Sequence, residues 1–294
     1  MIKIRVPATS ANLGPGFDCL GIALNLYNTF TFEEIDKGLE FIGCSEKFNN
    51  EDNLVYTSMK KCFGKIGYKF RGIKIKMQCD IPVSRGLGSS AACILGGVMA
   101  ANEIAGGVLS TDEILEIAVE IEGHPDNIAP ALYGGMAVSI KDDKKIYVQE
   151  IKLNRELKFC ALIPDFTLST EKSRSVLPKV IPYKDALFNV GRTALLIAAL
   201  SNGNMDMIKI GCEDKLHQSY RGKLINNYDD ITQKCRKLNS KAVFLSGAGP
   251  TIMNIINDEN EEFVEDMIKY VSNFQNKWTV KQLSVDYKGA IIVD

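Results

Sequence analysis

Pro82-Val83-Ser84-Arg85-Gly86-Leu87-Gly88-Ser89-Ser90-Ala91-Ala92 follows a segment in which Ile73, Ile75 and Met77 alternate with Lys74 and Lys76, and it precedes an Ala/Leu/Ile/Met-rich run to about residue 105. Alternation of this kind predicts a strand, and the apolar run predicts a buried helix. The glycines and serines therefore form a strand-to-helix turn. Small residues let backbone approach an anion closely, and the first amides of a helix have no partners within it. A phosphate suits that place, with ~0.3–1 kcal/mol per charge from the helix dipole. A Gly/Ser turn that only packs a helix on a sheet would use the same residues.

Gly86, Gly88 and Ala91 also satisfy a dinucleotide fingerprint, Gly-x-Gly-x-x-Ala. That fold needs a second parallel strand straight after the helix, with an acid near its end. Here the next element is a helix instead. Ser110-Thr111-Asp112-Glu113 is a capping box ahead of Ile114, Ile117, Ala118 and Ile121, and Gly123 ends the helix. A Walker A loop is absent, because neither Gly64-Lys65 nor Gly222-Lys223 is followed by Ser or Thr.

Two more small-residue loops accompany the first. Val6-Pro7-Ala8-Thr9-Ser10-Ala11-Asn12-Leu13-Gly14-Pro15-Gly16-Phe17-Asp18 lies near the N-terminus, and Ser246-Gly247-Ala248-Gly249-Pro250-Thr251 follows a strand near the other end. Around them the pattern predicts strands at 2–6, 28–34, 73–77, 136–140 and 146–151, and helices at 52–65 and 111–122. Beyond Asn154-Arg155-Glu156 it predicts strands at 159–163, 242–246, 252–256, 279–285 and 290–293. Helices are expected there near 171–177, 182–201, 226–239 and 259–274. The fold class is mixed α/β (α+β) in two lobes, residues 1–155 and 156–294.

The 294 residues are 46% hydrophobic and 24% charged, with a formal net charge of -1, enough to bury a core. The longest basic clusters are as short as Lys144-Lys145, which argues against nucleic acid as a partner. Cys19, Cys44, Cys62, Cys79, Cys93, Cys160, Cys212 and Cys235 are scattered, without a Cys-x-x-Cys pair. They read as small apolar residues in a reducing cytosol. With no signal-peptide pattern and no apolar run near ~20 residues, the expectation is a cytoplasmic protein off the membrane.

The three loops, in this order, resemble those of the superfamily of galacto-, homoserine, mevalonate and phosphomevalonate kinases (the GHMP kinases). The Pro7-to-Gly14 sequence with Phe17-Asp18, Glu122-Gly123-His124-Pro125-Asp126-Asn127-Ile128-Ala129-Pro130-Ala131, Ser169-Thr170-x-x-x-Arg174 and Leu216-His217-x-x-Tyr220-Arg221 resemble the homoserine kinase family within it. The resemblance spans residues 5 to about 251. It implies an N-terminal lobe like the ribosomal protein S5 domain 2 and a ferredoxin-like C-terminal lobe. It also implies transfer of the ATP γ-phosphoryl group to the hydroxyl of L-homoserine, a step toward threonine, by a homodimer.

Site residues follow from the same resemblance. Residues 82–92 with Asn53 match the ATP site, although Asn53 also reads as a helix cap. Glu122 and Ser90 match magnesium ligands, with Ser89 the alternative to Ser90. A carboxylate at a helix C-terminus opposes the dipole, which Mg2+ would offset. Asp18 matches the residue holding the substrate ammonium, with Asn12 and Thr170 beside it. Arg174 and Arg221 match the carboxylate-binding arginines, and His124 lies near the acceptor hydroxyl. Asn127, Arg174 and Glu122 make up the implied catalytic set. Because an amide cannot take a proton, Asn127 implies catalysis without a strong side-chain base. Of the two histidines, His217 is expected to orient its loop.

Three other readings use these residues. A kinase acting on mevalonate, a sugar or shikimate would share the ATP loop. A serine hydrolase lacks its Gly-x-Ser-x-Gly elbow here. A nucleotide-binding regulator would not need Glu122, Ser90, Arg174 and Arg221 together.

Overall fold

The computed structural model describes residues 1–143, 145–154, 157–256 and 262–293. Lys144, Arg155 and Glu156 of the expected boundary, and the start of the helix expected from 259 lie outside the described residues.

The first lobe is a seven-stranded sheet with helices packed on it. Its strands are β1 (Ile2–Ala11), β2 (Leu20–Ile35), β3 (Gly38–Ile42), β4 (Gly72–Cys79), β5 (Met136–Asp142), β6 (Lys145–Ile151) and the terminal β11 (Ile291–Ile292). The order is β11-β1-β2-β4-β3, with β5 bridging β2 and β6. β3 and β4 run parallel, joined through α1 (Leu54–Ile66). In β4, Ile73 and Ile75 are buried while Lys76 faces water. Lys74 reaches Glu40, its cross-strand neighbour, at 3.5 Å.

Helices α2 (Ser89–Ile104), α3 (Thr111–Glu122) and α4 (Pro125–Tyr133) pack together, α2 against β1 and β2. The capping box of α3 forms as its sequence predicts, and Gly123 ends the helix in the left-handed region.

Several elements of this lobe depart from expectation, among them β2, which begins at Leu20 and not near residue 28. Residues 7–11, read as loop, are the buried end of β1, with a register shift at Pro7/Ala8 that accommodates the missing amide. The loop proper is 12–19. β3 was not foreseen. Nor was α4, whose interior Pro130 disguises a helix. Pro130 has no N–H for the Asp126 carbonyl, and Gly21 of β2 lies so close to that oxygen that a Cβ would stand 1.9 Å from it.

The second lobe has a four-stranded antiparallel sheet, β10-β7-β9-β8, made of β7 (Lys158–Pro164), β8 (Ala242–Leu245), β9 (Ile252–Ile256) and β10 (Trp278–Ser284). In chain order this is 4-1-3-2, the ferredoxin-like arrangement the resemblance implies. Its helices are α5 (Thr170–Ser175), α6 (Tyr183–Asn202), α7 (Met205–Gly211), α8 (Gln218–Arg221), α9 (Tyr228–Lys237) and α10 (Phe263–Val271). Short α7 and α8 were not foreseen. The chain end leaves this lobe, since β11 pairs with β1 in the first sheet. One apolar cluster runs from Ile4 and Phe30 through Phe159 to Phe244, so the lobes share a core. We propose 155/156 as their boundary, with β11 handed back to the first.

Candidate active site

All three small-residue loops meet at one place. Ser246 Oγ donates to the Gly86 carbonyl (2.6 Å) and lies 2.8 Å from Ser10 Oγ. Gly247 N donates to Ala11 O at 2.9 Å, and Asn12 Nδ2 to Gly247 O at 2.9 Å. A Cβ on Gly86 would stand 2.2 Å from the Ser246 carbonyl oxygen, and Gly86 has φ +76°. Only glycine meets both conditions without strain. The phosphate-loop candidate therefore rests on a backbone floor laid by the third loop.

Above that floor opens a cavity of about 510 Å³ between the lobes. It is lined by Asn12, Asn53, Val83, Ser84, Arg85, Gly86, Gly88, Ser89, Ser90, Glu122, His124, Asn127, Thr170, Arg174 and Arg221. Asp18 joins them through its pair with Arg174. Pro82, Leu87, Ala91 and Ala92 do not line it, and the last three are completely buried. Ala92 N is bonded to Gly88 O at 2.9 Å, so helical amides open to a ligand end before it. No side chain caps α2, which leaves its first turn free.

At one end of the cavity Asn53 caps α1, accepting from Val55 N at 3.0 Å and donating to Phe48 O at 2.8 Å. The helix-cap reading of Asn53 therefore holds, on a residue that also lines the cavity. Gly43, Cys44, Phe48, Met77, Cys79 and Cys93 complete that wall. Three of the scattered cysteines are thus cavity residues, not core filling, and burial pushes the Cys93 thiol up to about 12. Arg85 lines the loop but turns its guanidinium to the second lobe, donating to Pro164 O (2.8 Å), Val83 O (2.9 Å) and Asp165 O (2.5 Å).

In the middle, Ser90 Oγ donates to Glu122 Oε2 at 2.6 Å. Burial raises the Glu122 pKa above its ordinary value. A divalent cation between this carboxylate and hydroxyl would offset that burial, so the pair fits Mg2+. Among the described residues no group of three His, Cys, Asp or Glu is placed to hold a metal, so phosphates and water would complete the shell. His124 Nδ1 is 2.6 Å from Asp126 Oδ1. Burial works against a charged His124, but the bond and charge of Asp126, with Glu122, raise its pKa. Asn127 accepts from Thr9 Oγ1 at 2.8 Å. Its amide plane is held from the N-terminal strand.

At the far end, Arg174 makes two bonds to Asp18, at 3.0 and 2.7 Å. That hydrogen-bonded pairing holds the Arg174 pKa up. Thr170 and Arg174 share a face of α5, four residues apart. Asn12 accepts from Asp18 N at 2.8 Å, so its side chain is spent on shaping the loop. Arg221 is 1% exposed and touches only neutral groups: Ser173 O (3.4 Å), Gly247 O (3.1 Å) and His217 Nδ1 (3.4 Å). Among the described residues no carboxylate pairs with it. Burial and nearby Arg174 push its pKa down to about 10.

Sequence reasoning missed Phe17 and Asp214 among the residues that hold these groups, whereas His217 orients its loop as expected. The Phe17 ring lies under both guanidiniums, 5.6 Å from Arg174 and 4.9 Å from Arg221, and stacks on His217 at 5.2 Å. His217 Nε2 is 2.8 Å from the Gly14 carbonyl, and burial lowers its pKa, so a neutral ring donates there and accepts from Arg221. Asp214 accepts from the amides of Leu216, His217 and Gln218 and from Asn189. Its place just ahead of a helix start was a readable cap signal. Phe17 had no such signal.

The family model for the GHMP kinases N terminal domain matches residues 53–135, and that for the GHMP kinases C terminal matches 196–272. A homoserine kinase of Clostridium botulinum (strain 657 / Type Ba4) is 59% identical over 99% of this chain and 98% of its own. One of Clostridium beijerinckii is 52% identical over 100% and 99%. The crystal structure of homoserine kinase from Cytophaga hutchinsonii superposes with TM-score 0.90 at 27% identity, covering 99% of this chain and 97% of that one. The crystal structure of L. major mevalonate kinase shares the fold at TM-score 0.73 and 14% identity, covering 96% of this chain and 95% of that one. With its fold, its loops and these relatives, the chain belongs to the GHMP kinases and, within them, to the homoserine kinase family.

Proposed function

We propose that the chain transfers the γ-phosphoryl group of ATP to the side-chain hydroxyl of L-homoserine, giving O-phospho-L-homoserine and ADP. One observation carries the choice of acceptor: a buried Arg221 without a carboxylate partner beside the Arg174–Asp18 pair. A zwitterion supplies the missing anion to Arg221 and an ammonium to Asp18, leaving Arg174 to share the carboxylate. A neutral sugar would leave Arg221 buried and unpaired.

Phosphoryl transfer asks a protein for alignment and charge neutralisation. The amides at the start of α2 and the glycines of 84–88 cradle the phosphates, and Asn53 with its neighbours holds the adenine. Glu122 and Ser90 would hold Mg2+, which would supply neutralising charge for the phosphates. Asn127, fixed by Thr9, orients the acceptor hydroxyl, and His124 lies beside it. The acceptor oxygen forms its bond to phosphorus as the bond to ADP breaks. Its proton leaves late, to the transferred phosphate, because Asn127 cannot accept it and Asp126 is bonded to His124. The working unit is a homodimer in the cytoplasm, on the way to threonine. Among the described residues no helix is long and apolar enough to cross a membrane.

Coupled ADP release with homoserine, mevalonate and shikimate tests the assignment. Turnover with homoserine alone is expected, and its absence refutes the acceptor. A steep pH dependence removed by Asp126→Asn would refute the absence of a side-chain base.

A further inference from the structure

Helix α6 carries an outward face unlike that of an ordinary surface helix. Tyr183 (78% exposed), Leu187 (54%) and Val190 (69%) lie on it, followed by exposed Gly191, Ala194 and Ala198. At 100° per residue these positions fall within one arc of about 100°. The helix's charged residues, Lys184, Asp185 and Arg192, lie outside that arc, and a Cβ on Gly191 would meet nothing within 4 Å. Solvent-facing helix surfaces are normally charged. This one is apolar from end to end.

Its side chains are also graded, large in the first half and small in the second. Placed antiparallel on itself about a two-fold axis between residues 190 and 191, the helix sets Tyr183 against Ala198, Leu187 against Ala194 and Val190 against Gly191. Every bulky side chain meets a small one, and each pairing occurs twice, as an isologous contact requires. Such a contact lets two helices approach within ~8–10 Å. We propose that α6 is the seam on which a second copy of this chain docks antiparallel.

Area supports that occupant. One aromatic and three branched side chains at these exposures, counting Val180 (86%) just before the helix, leave on the order of 500 Å² of apolar surface per copy, so a pair buries about 1,000 Å². That meets the lower bound for a specific interface. The opposite face of α6 touches the loops that carry the candidate acceptor residues: Thr193 Oγ1 donates to Pro15 O at 3.2 Å, and Asn189 bonds Asp214 and the Lys215 amide. Docking therefore braces both loops that hold Asp18 and Arg221.

The inference rests on the reading of the working unit as a homodimer, and mass measurement in solution separates the two. Light scattering on the eluting full chain is expected to give twice its 32.5 kDa mass. Leu187→Glu and Ala194→Glu should each elute as monomers that stay folded by circular dichroism and melt at a lower temperature than the dimer, while Val108→Glu, an exposed residue on the other lobe, stays dimeric. Leu187→Ala and Ala194→Leu should each weaken the dimer at least tenfold, and the double swap should restore it, because large and small merely trade sides. A monomeric parent protein overturns the homodimer itself. A dimer that survives both Glu variants overturns only the α6 face, and failure of the double swap overturns the antiparallel register.

Discussion

The two ends of the cavity are built in opposite ways. At the nucleotide end a continuous stretch, 84–90, presents backbone and hydroxyls, and its conformation is fixed by contacts such as Ser246 on Gly86. At the acceptor end Asp18, His124, Arg174 and Arg221 arrive from separate elements of both lobes, and charged side chains are the instruments. In the proposed function, backbone recognition would serve any nucleotide phosphate and the dispersed charges would select the acceptor. The two ends adjoin at Ser90 and Glu122, where that reading sets the transfer.

Breaking the junction should have the largest effect. Glu122→Ala should lower kcat by ~10²–10³ at saturating ATP and homoserine, measured by coupled ADP release, because a preorganised charge at the transferring group is lost. Gly86→Ala strikes the nucleotide end alone. Its Cβ has no room against the Ser246 carbonyl and its φ is +76°, so overpacking of ~1–3 kcal/mol should appear as a raised KM for ATP and a lower Tm.

How much of this was legible in the sequence follows the same division. The turn at 82–92 declares itself because alternation, glycines and an apolar run are contiguous. The capping box of α3 is similarly local. Arg221 carries no local mark, and its assignment came only from resemblance to a family pattern. Its burial over Phe17 depends on contacts far apart in the chain, and the pairing of Arg174 with Asp18 spans 156 residues. The miss of α4 is instructive in another way: Pro130 argues against a helix, yet the helix forms through it, and Gly21 of β2 leaves room for the Asp126 carbonyl that Pro130 cannot bond.

The pH response sharpens the comparison further. Arg221, with its pKa pushed down to about 10, loses its proton before Arg174, whose pKa the Asp18 bonds raise. KM for homoserine should therefore climb as pH rises through 10, with KM for ATP flat by comparison. The folded chain binds the Arg221 proton less tightly than the unfolded chain does. Its burial thus costs stability at neutral pH, and that cost is relieved above pH 10. Smallest of all, Ser246→Ala removes bonds to both Gly86 and Ser10, and a loss of ~1 kcal/mol in a denaturant titration is expected.

The most direct test of two separate ends is Arg221→Met, with both Michaelis constants measured on the same preparation. The account predicts that KM for homoserine rises at least ~30-fold, about 2 kcal/mol, while KM for ATP stays within about twofold. Equal rises in both constants, or no rise in that for homoserine, would contradict it.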